Sequence, residues 1–581
     1  MPAHFGPPPH SRNGAVSVDS EKAGGFTGRK DGGKERMGAK LVLFREEARG
    51  RILKGVNALG DAVKVTLGPK SKCVLIARKW GKPLVCNDGV TIAKEFELGD
   101  GVENLGAQMI RQAAEQTSES VGDGTSTATL LACTIFTEGL RNVTAGAGAV
   151  GIRRGLERGL AAVVAALQSN SRKLESRREK AQVAAISAHN DAKMGELVAD
   201  ALERVGAEGA ITVEESKTTD TILEVTEGMK FEHGYISPYF VTDSQKMQAI
   251  LENPFVLLVE KKVSRLAELL PLLEQIAKSG RPLLVIAEDV DAEALATLVV
   301  NKLRGVLTAA AVKAPGFGDR RKAVLQDIAI LTGAKVVAEE LGMSLEKIRL
   351  EELGTVRRVV IERDSTTLVG GAGAADAVAA RCSEIRRLIA ETTSAYDREK
   401  LEERLSKLAG GVAVIRVGAP SEADMQNRKE AFDDAISAIR AAMSEGIVPG
   451  GGLALLRTAP ALDAAAAQLE GDERTGVLIL RRAIEAPARQ IAENSAADPG
   501  VVVHRMLGGT GHFGFDAATG EYVDLMEAGI IDPTKVVRVA LENAVSIAGT
   551  LLMAEATLTE APETEGAGGA AGRRRDEMES V

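Results

Sequence analysis

The hydrophobic period changes twice along this chain, and that limits its fold more than any other feature. Over 103–167 and again over 422–558, apolar residues recur at helical three- and four-residue steps amid abundant alanine. Between them the texture alternates: short apolar or β-branched runs at 210–214, 255–259, 282–287, 309–313 and 356–361 are separated by helical stretches. This order predicts a helical region split by an α/β insertion, which Gly228 opens and Gly410-Gly411 closes, followed by a strand at 412–417. Upstream, Phe44, Ile52, Leu53, Val56, Leu59, Val63 and Leu67 predict one amphipathic helix from Leu41 to the stop at Gly68-Pro69, with short strands at 73–77 and 84–87.

At 581 residues the chain has room for about three or four domains, each able to bury a core without a stabilising cofactor. Its net charge of −9 is spread without a long basic block, which argues against nucleic acid as a partner. The four cysteines (Cys73, Cys86, Cys133 and Cys382) form no Cys-x-x-Cys pair, and the six histidines show no ligand spacing. A reducing compartment and no transition metal are expected. No run approaches the roughly 20 apolar residues of a membrane span, and the start lacks a secretory signal. Residues 1–36, rich in Gly and Pro, read as a disordered arm, and 560–581 as a tail that frays.

Three glycine-bearing segments can meet a ligand. Gly122-Asp-Gly-Thr-Ser-Thr127 stands where a helical pattern restarts, so its amides can face an anion and Asp123 a cation; the plainer reading is a helix cap, and no Walker lysine follows. Thr66-Leu-Gly-Pro69 reads by itself as a helix stop, and Gly450-Gly-Gly452 as a hinge, a linker or a close approach to a base or ribose. Asp88 and Asp434 read as a turn residue and a solvated helix residue. In the insertion, a helix started at Pro271 spreads Leu270, Leu272, Leu273, Ile276 and Ala277 over about 160° of its circumference, and 294–301 is similarly apolar. Either both helices are buried on two sides or apolar surface is left over for a partner.

Five longer motifs, Asp61-Ala-Val-Lys-Val-Thr-Leu-Gly-Pro-Lys70, Gly122-Asp-Gly-Thr-Ser-Thr-Ala128, Val312-Lys-Ala-Pro-Gly-Phe-Gly-Asp-Arg-Arg-Lys322, Tyr396-Asp-Arg-Glu-Lys-Leu401 and Lys407-Leu-Ala-Gly-Gly-Val-Ala-Val-Ile415, together resemble a group I chaperonin of the GroEL type, over about 37–559. The resemblance implies a multi-domain fold: a mostly α-helical equatorial domain (42–169 and 445–560), a small α/β intermediate domain (170–226 and 413–444) and an inserted α/β apical domain (227–412), with an extension at 1–41 and a tail at 561–581. It implies an ATP-dependent folding chaperone of the cytoplasm that hydrolyses ATP with Mg2+ and K+. Thr66, Leu67, Gly68, Pro69, Asp123, Gly124, Thr125, Ser126, Thr127, Gly451, Asp516, Ala517, Ile530 and Asp532 would bind nucleotide. Asp123 would hold Mg2+; Thr66, Asn87 and Ser126 would hold K+; Asp88 and Asp434 would be catalytic. Tyr235, Tyr239, Phe240, Leu270, Leu273, Leu295, Val299 and Val300 would take unfolded polypeptide and a GroES-type co-chaperonin, in seven-membered rings stacked as a tetradecamer.

Several positions depart from the family pattern. Asn87 stands where a lysine is usual, Lys173 where a proline is, His189 where an asparagine is, and Asp516 where an asparagine meets the base; the Gly-Gly-Met repeats of the carboxyl end are missing. Arg489 and Asp498 match a charged contact between rings. Two other classes compete: a holdase that uses no ATP, which Asp88, Asp123 and Asp434 oppose, and a small-molecule phosphotransferase, for which no acceptor site is apparent.

Overall fold

The computed structural model describes residues 40–560 except 78–82, 207–208, 245, 265, 339–342 and 393; the expected arm at 1–36 and the tail at 561–581 lie outside the described residues. Residues 42–558 form one compact unit, and the described residues beyond it, 40–41 and 559–560, belong to a second, in which Lys40 pairs with Glu560 at 3.3 Å.

Long helices build both ends of the main unit. Gly101–Val121, Thr125–Thr144 and Ala149–Asn170 precede the insertion, and Gly471–Ala483 and Thr534–Leu552 follow it. They approach closely where glycines face backbone: a Cβ on Gly55 would fall 1.7 Å from the Glu103 carbonyl oxygen. The first helix runs over Arg45–Lys64, not from Leu41. Lys40–Phe44 is a strand paired with Ala556–Glu560, a partner from the far end of the chain that local periodicity cannot register. Likewise 422–558 is not helix throughout. Ile447–Pro449 pairs with Ile531–Pro533, and Phe513–Asp516 with Glu521–Asp524.

Two crossings connect the helical region to the insertion. At the first, Arg172 and Ile447 exchange backbone hydrogen bonds of 3.0 and 2.7 Å. At the second, Val412–Val417 lies between Ala210–Glu215, parallel to it, and Ile222–Thr226, antiparallel. The outgoing and returning chain therefore share one small sheet, whose hydrophobic core includes Val198, Leu202, Ile415, Phe432 and Ile439.

The insertion has its own core around an eight-stranded mixed sheet. Ala309–Lys313, Leu283–Ala287 and Phe255–Val259 run parallel at one end, and Gly354–Ile361, Thr366–Gly371 and Gly228–Phe231 run antiparallel at the other. Phe255–Val259 and Leu283–Ala287 are buried at every position, as continuous apolar runs require when both faces are covered. Asp327, 0% exposed, is held by Arg381 at 2.7 Å and Arg404 at 2.8 Å, so one carboxylate fastens Ala375–Glu391 and Ala395–Ala409 to Gly318–Thr332.

The apolar helix of the insertion spans Leu266–Ser279 and contains Pro271 inside it, so it starts before the proline. Leu269, Leu272, Leu273 and Ile276 are buried and Leu270 is 47% exposed. In Ala292–Leu303, Ala294 and Leu298 are buried, Leu295 and Val299 half-buried, and Val300 and Leu303 exposed. Tyr239 is 64% exposed and Tyr235 half-buried. Phe240 (0%) and Leu273 (5%) belong to the core, where they fill apolar volume against the sheet beneath.

Candidate functional site

One cavity of about 420 Å3 gathers residues from widely separated parts of the sequence. The first helix ends in the turn Thr66-Leu-Gly-Pro69, with Gly68 in the left-handed region at φ 91°. Asn494 fastens that turn by donating to the carbonyls of Lys64 (2.9 Å) and Leu67 (2.8 Å). Asp88 caps the helix Gly89–Glu95, accepting from the Thr91 amide at 2.8 Å. Gly122 and Gly124, at φ 70° and 82°, turn the chain from one long helix into the next, and Thr125, Ser126 and Thr127 begin the second. A side chain at Gly89 would meet the Ser126 hydroxyl at 2.4 Å, so the two stretches touch through glycine.

The opposite wall comes from after the insertion. Gly451 and Gly452 take left-handed backbone, and Asp516 closes a turn by accepting from the Ala518 amide (2.9 Å) and the Thr519 hydroxyl (2.8 Å). Ala517, Ile530 and Asp532 complete this side. Asp434 arrives on the long helix Glu422–Glu445, whose Ser437 sits where a Cβ on Gly122 would lie 2.4 Å from its hydroxyl. All seventeen residues expected at the nucleotide, potassium and catalytic positions line this one cavity.

Its electrostatics are one-sided. Burial raises the Asp123 carboxyl, against hydrogen bonds from the Ser187 hydroxyl (2.6 Å) and the Gly124 amide. Asp532 is pushed up to about 7 by burial and by Asp123. Asp434 is raised well above its ordinary value by burial first, then by Asp88, Asp123, Asp433 and Glu430. Five aspartates, 88, 123, 434, 516 and 532, line the walls, and among the lining residues there is no lysine or arginine. Such a site calls for cations.

The residues present fit them. Among the described residues no group of three or more His, Cys, Asp or Glu gathers to hold a metal unaided. A single carboxylate such as Asp123, sharing its ion with phosphate oxygens and water, is how Mg2+ is commonly bound. The Thr66 and Ser126 hydroxyls lie 2.9 Å apart, and with Asn87 they offer the neutral oxygens a hard monovalent cation accepts.

Sequence reading missed Ser187, Asn190 and Asn494 as site residues and took His189 only as a departure. Ser187 ends the helix Arg177–Ser187 and His189 and Asn190 follow it; the helix composition carries no ligand signal, and only packing brings its end to Asp123. Arg489 and Asp498, expected between rings, have partners within the chain: Arg489 pairs with Glu485 at 2.7 Å, and Asp498 caps Pro499–Gly508.

The TCP-1/cpn60 chaperonin family model matches residues 59–562, covering the cavity, the crossings and the insertion, and the chain belongs to that family, as a group I, GroEL-type chaperonin. It is similar to Chaperonin GroEL 5 of Bradyrhizobium diazoefficiens, 64% identical over 527 residues, which are 91% of this chain and 97% of that one. As a member it is an ATP-dependent chaperone of protein folding. Among the described residues no helix is long and apolar enough to cross a membrane.

Proposed function

We propose that the cavity binds and hydrolyses ATP, and that hydrolysis times the showing and hiding of apolar surface on an apical domain at 227–412. The observation that carries this reading is the arrival of Asp434, on a helix packed with the small shared sheet, in the same cavity as Asp88 and the Gly122–Thr127 turn. In this reading 42–169 with 445–560 is the equatorial domain and 170–226 with 413–444 the intermediate one, divisions supported by the two crossings and by separate cores.

Thr125, Ser126 and Thr127, at a helix start, present backbone amides to the phosphates. Gly451, Asp516, Ala517, Ile530 and Asp532 enclose the base and ribose, while Thr66 to Pro69 cover the other side. Asp123 holds Mg2+, and Thr66, Asn87 and Ser126 hold K+; these cations supply neutralisation of phosphate charge. Asp434, whose raised basicity follows from burial among acids, accepts the proton of the attacking water, and Asp88 orients that water from the floor. Since Asp434 stands on a different domain from Asp88, chemistry waits for closure.

Leu270, Val300 and Tyr239, with half-buried Tyr235, Leu295 and Val299, form the surface for unfolded polypeptide and for a GroES-type co-chaperonin, and Phe240 and Leu273 support it from beneath. Each Leu or Val covered by a client contributes about 1.5–3 kcal/mol. Seven-membered rings, stacked in two, multiply such weak contacts through effective concentration and enclose the client in a chamber. The setting is the cytoplasm. Refolding of a denatured client with ATP and co-chaperonin tests the reading. Wild type is expected to restore activity to the client, and a Leu270→Ser, Val300→Ser variant to capture less of it at undiminished ATP turnover; equal capture by both would defeat the surface assignment.

A further inference from the structure

The cavity is built for a polyanion yet lined by five aspartates, and among its lining residues the one basic side chain is His189. His189 lines this cavity two residues after Ser187, whose hydroxyl donates to Asp123 at 2.6 Å, so it enters the site beside an acid of the proposed chemistry. Its backbone, with that of Asn190, is in the left-handed region at φ 55° and 65°, which bends the chain after Arg177–Ser187 and brings both residues to the cavity. Asn87, a neutral amide immediately before Asp88, lines the same cavity.

We propose that His189 is a phosphate-contacting residue of this chaperonin, donating an imidazole N–H to the terminal phosphate of the nucleoside triphosphate from the intermediate-domain side, and that it supplies the basic contact that the floor at Asn87 lacks. This rests on the ATP reading above and deepens it. An imidazole offers an N–H donor in either protonation state, so the contact does not depend on its charge. The terminal phosphate is its target because His189 lines the cavity two residues after Ser187, whose hydroxyl donates to Asp123 at 2.6 Å, whereas the base is assigned to the wall at Asp516 and Ala517. The donor is carried by the segment that also supplies Ser187 to Asp123, so it senses the third phosphate only when that segment is docked.

The test is equilibrium binding of a non-hydrolysable β,γ-imido analogue of ATP, and of ADP, to the assembled full-length protein with Mg2+ and K+. His189→Asn keeps a residue at home in left-handed backbone, and His189→Gly removes every side-chain donor without backbone strain. Loss of a hydrogen bond to a charged group predicts analogue binding weakened roughly 10-fold or more in H189G and less in H189N, with ADP changed by less than about twofold. Equal weakening of both nucleotides, or no weakening of either, overturns the inference while leaving the ATP reading intact. Wild-type protein that binds neither nucleotide overturns both.

Discussion

Replacing Asp434 by alanine removes the one acid that reaches the cavity from the helix Glu422–Glu445. A positioned general base accelerates a reaction by about 10²–10⁴-fold, or roughly 3–5 kcal/mol of barrier, and that is the expected loss in turnover. The same carboxylate is raised by burial and by Asp88, Asp123, Asp433 and Glu430, so its removal takes negative charge from a cavity lined by four other aspartates. Nucleotide affinity should therefore be unchanged or increased. Phosphate release under steady-state and single-turnover conditions, with titration of a fluorescent ATP analogue and capture of a denatured client, separates these effects. Turnover within about threefold of wild type would refute the catalytic role, and loss of nucleotide binding in step with turnover would show that Asp434 is structural.

Asp532, raised to about 7 in the folded state from an ordinary 3.8, binds its proton more tightly when folded, so it lowers stability progressively as pH rises from about 4 to 7 and by a constant amount above that. In nucleotide- and metal-free buffer, Asp532→Asn should raise the thermal midpoint more at pH 8 than at pH 5; an equal gain at both would refute the burial argument. Asp327→Ala leaves the Arg381 and Arg404 guanidiniums without their buried carboxylate at a cost of about 3–5 kcal/mol, to be read as faster proteolysis within 227–412; unchanged protection is the contrary result. Gly89→Ala places a Cβ 2.4 Å from the Ser126 hydroxyl and 3.0 Å from its amide nitrogen, and nucleotide binding should fall at least 10-fold with the fold retained by circular dichroism; wild-type affinity would show that the two stretches can separate freely.

Strands covered on both faces were readable because such burial leaves nearly continuous apolar runs: 255–259 and 309–313 in the insertion and 412–417 in the small shared sheet match their strands residue for residue. The glycine and aspartate motifs were readable as segments for a local reason, since left-handed turns and helix caps leave a mark in a few adjacent residues. Pairing between distant strands leaves no such mark, so Lys40–Phe44 looked helical until Ala556–Glu560 lay beside it. The same limit applies to burial around a helix: Leu270 and Leu273 are alike in sequence, yet only packing on the sheet leaves one at 47% exposure and the other at 5%. It applies most to His189 and Asn87, two separate departures in the chain that became related only when tertiary packing closed an acidic cavity around both. Local chemistry thus wrote the elements and the ligand-facing turns, while long-range packing, which no window of neighbouring residues contains, decided which of them meet.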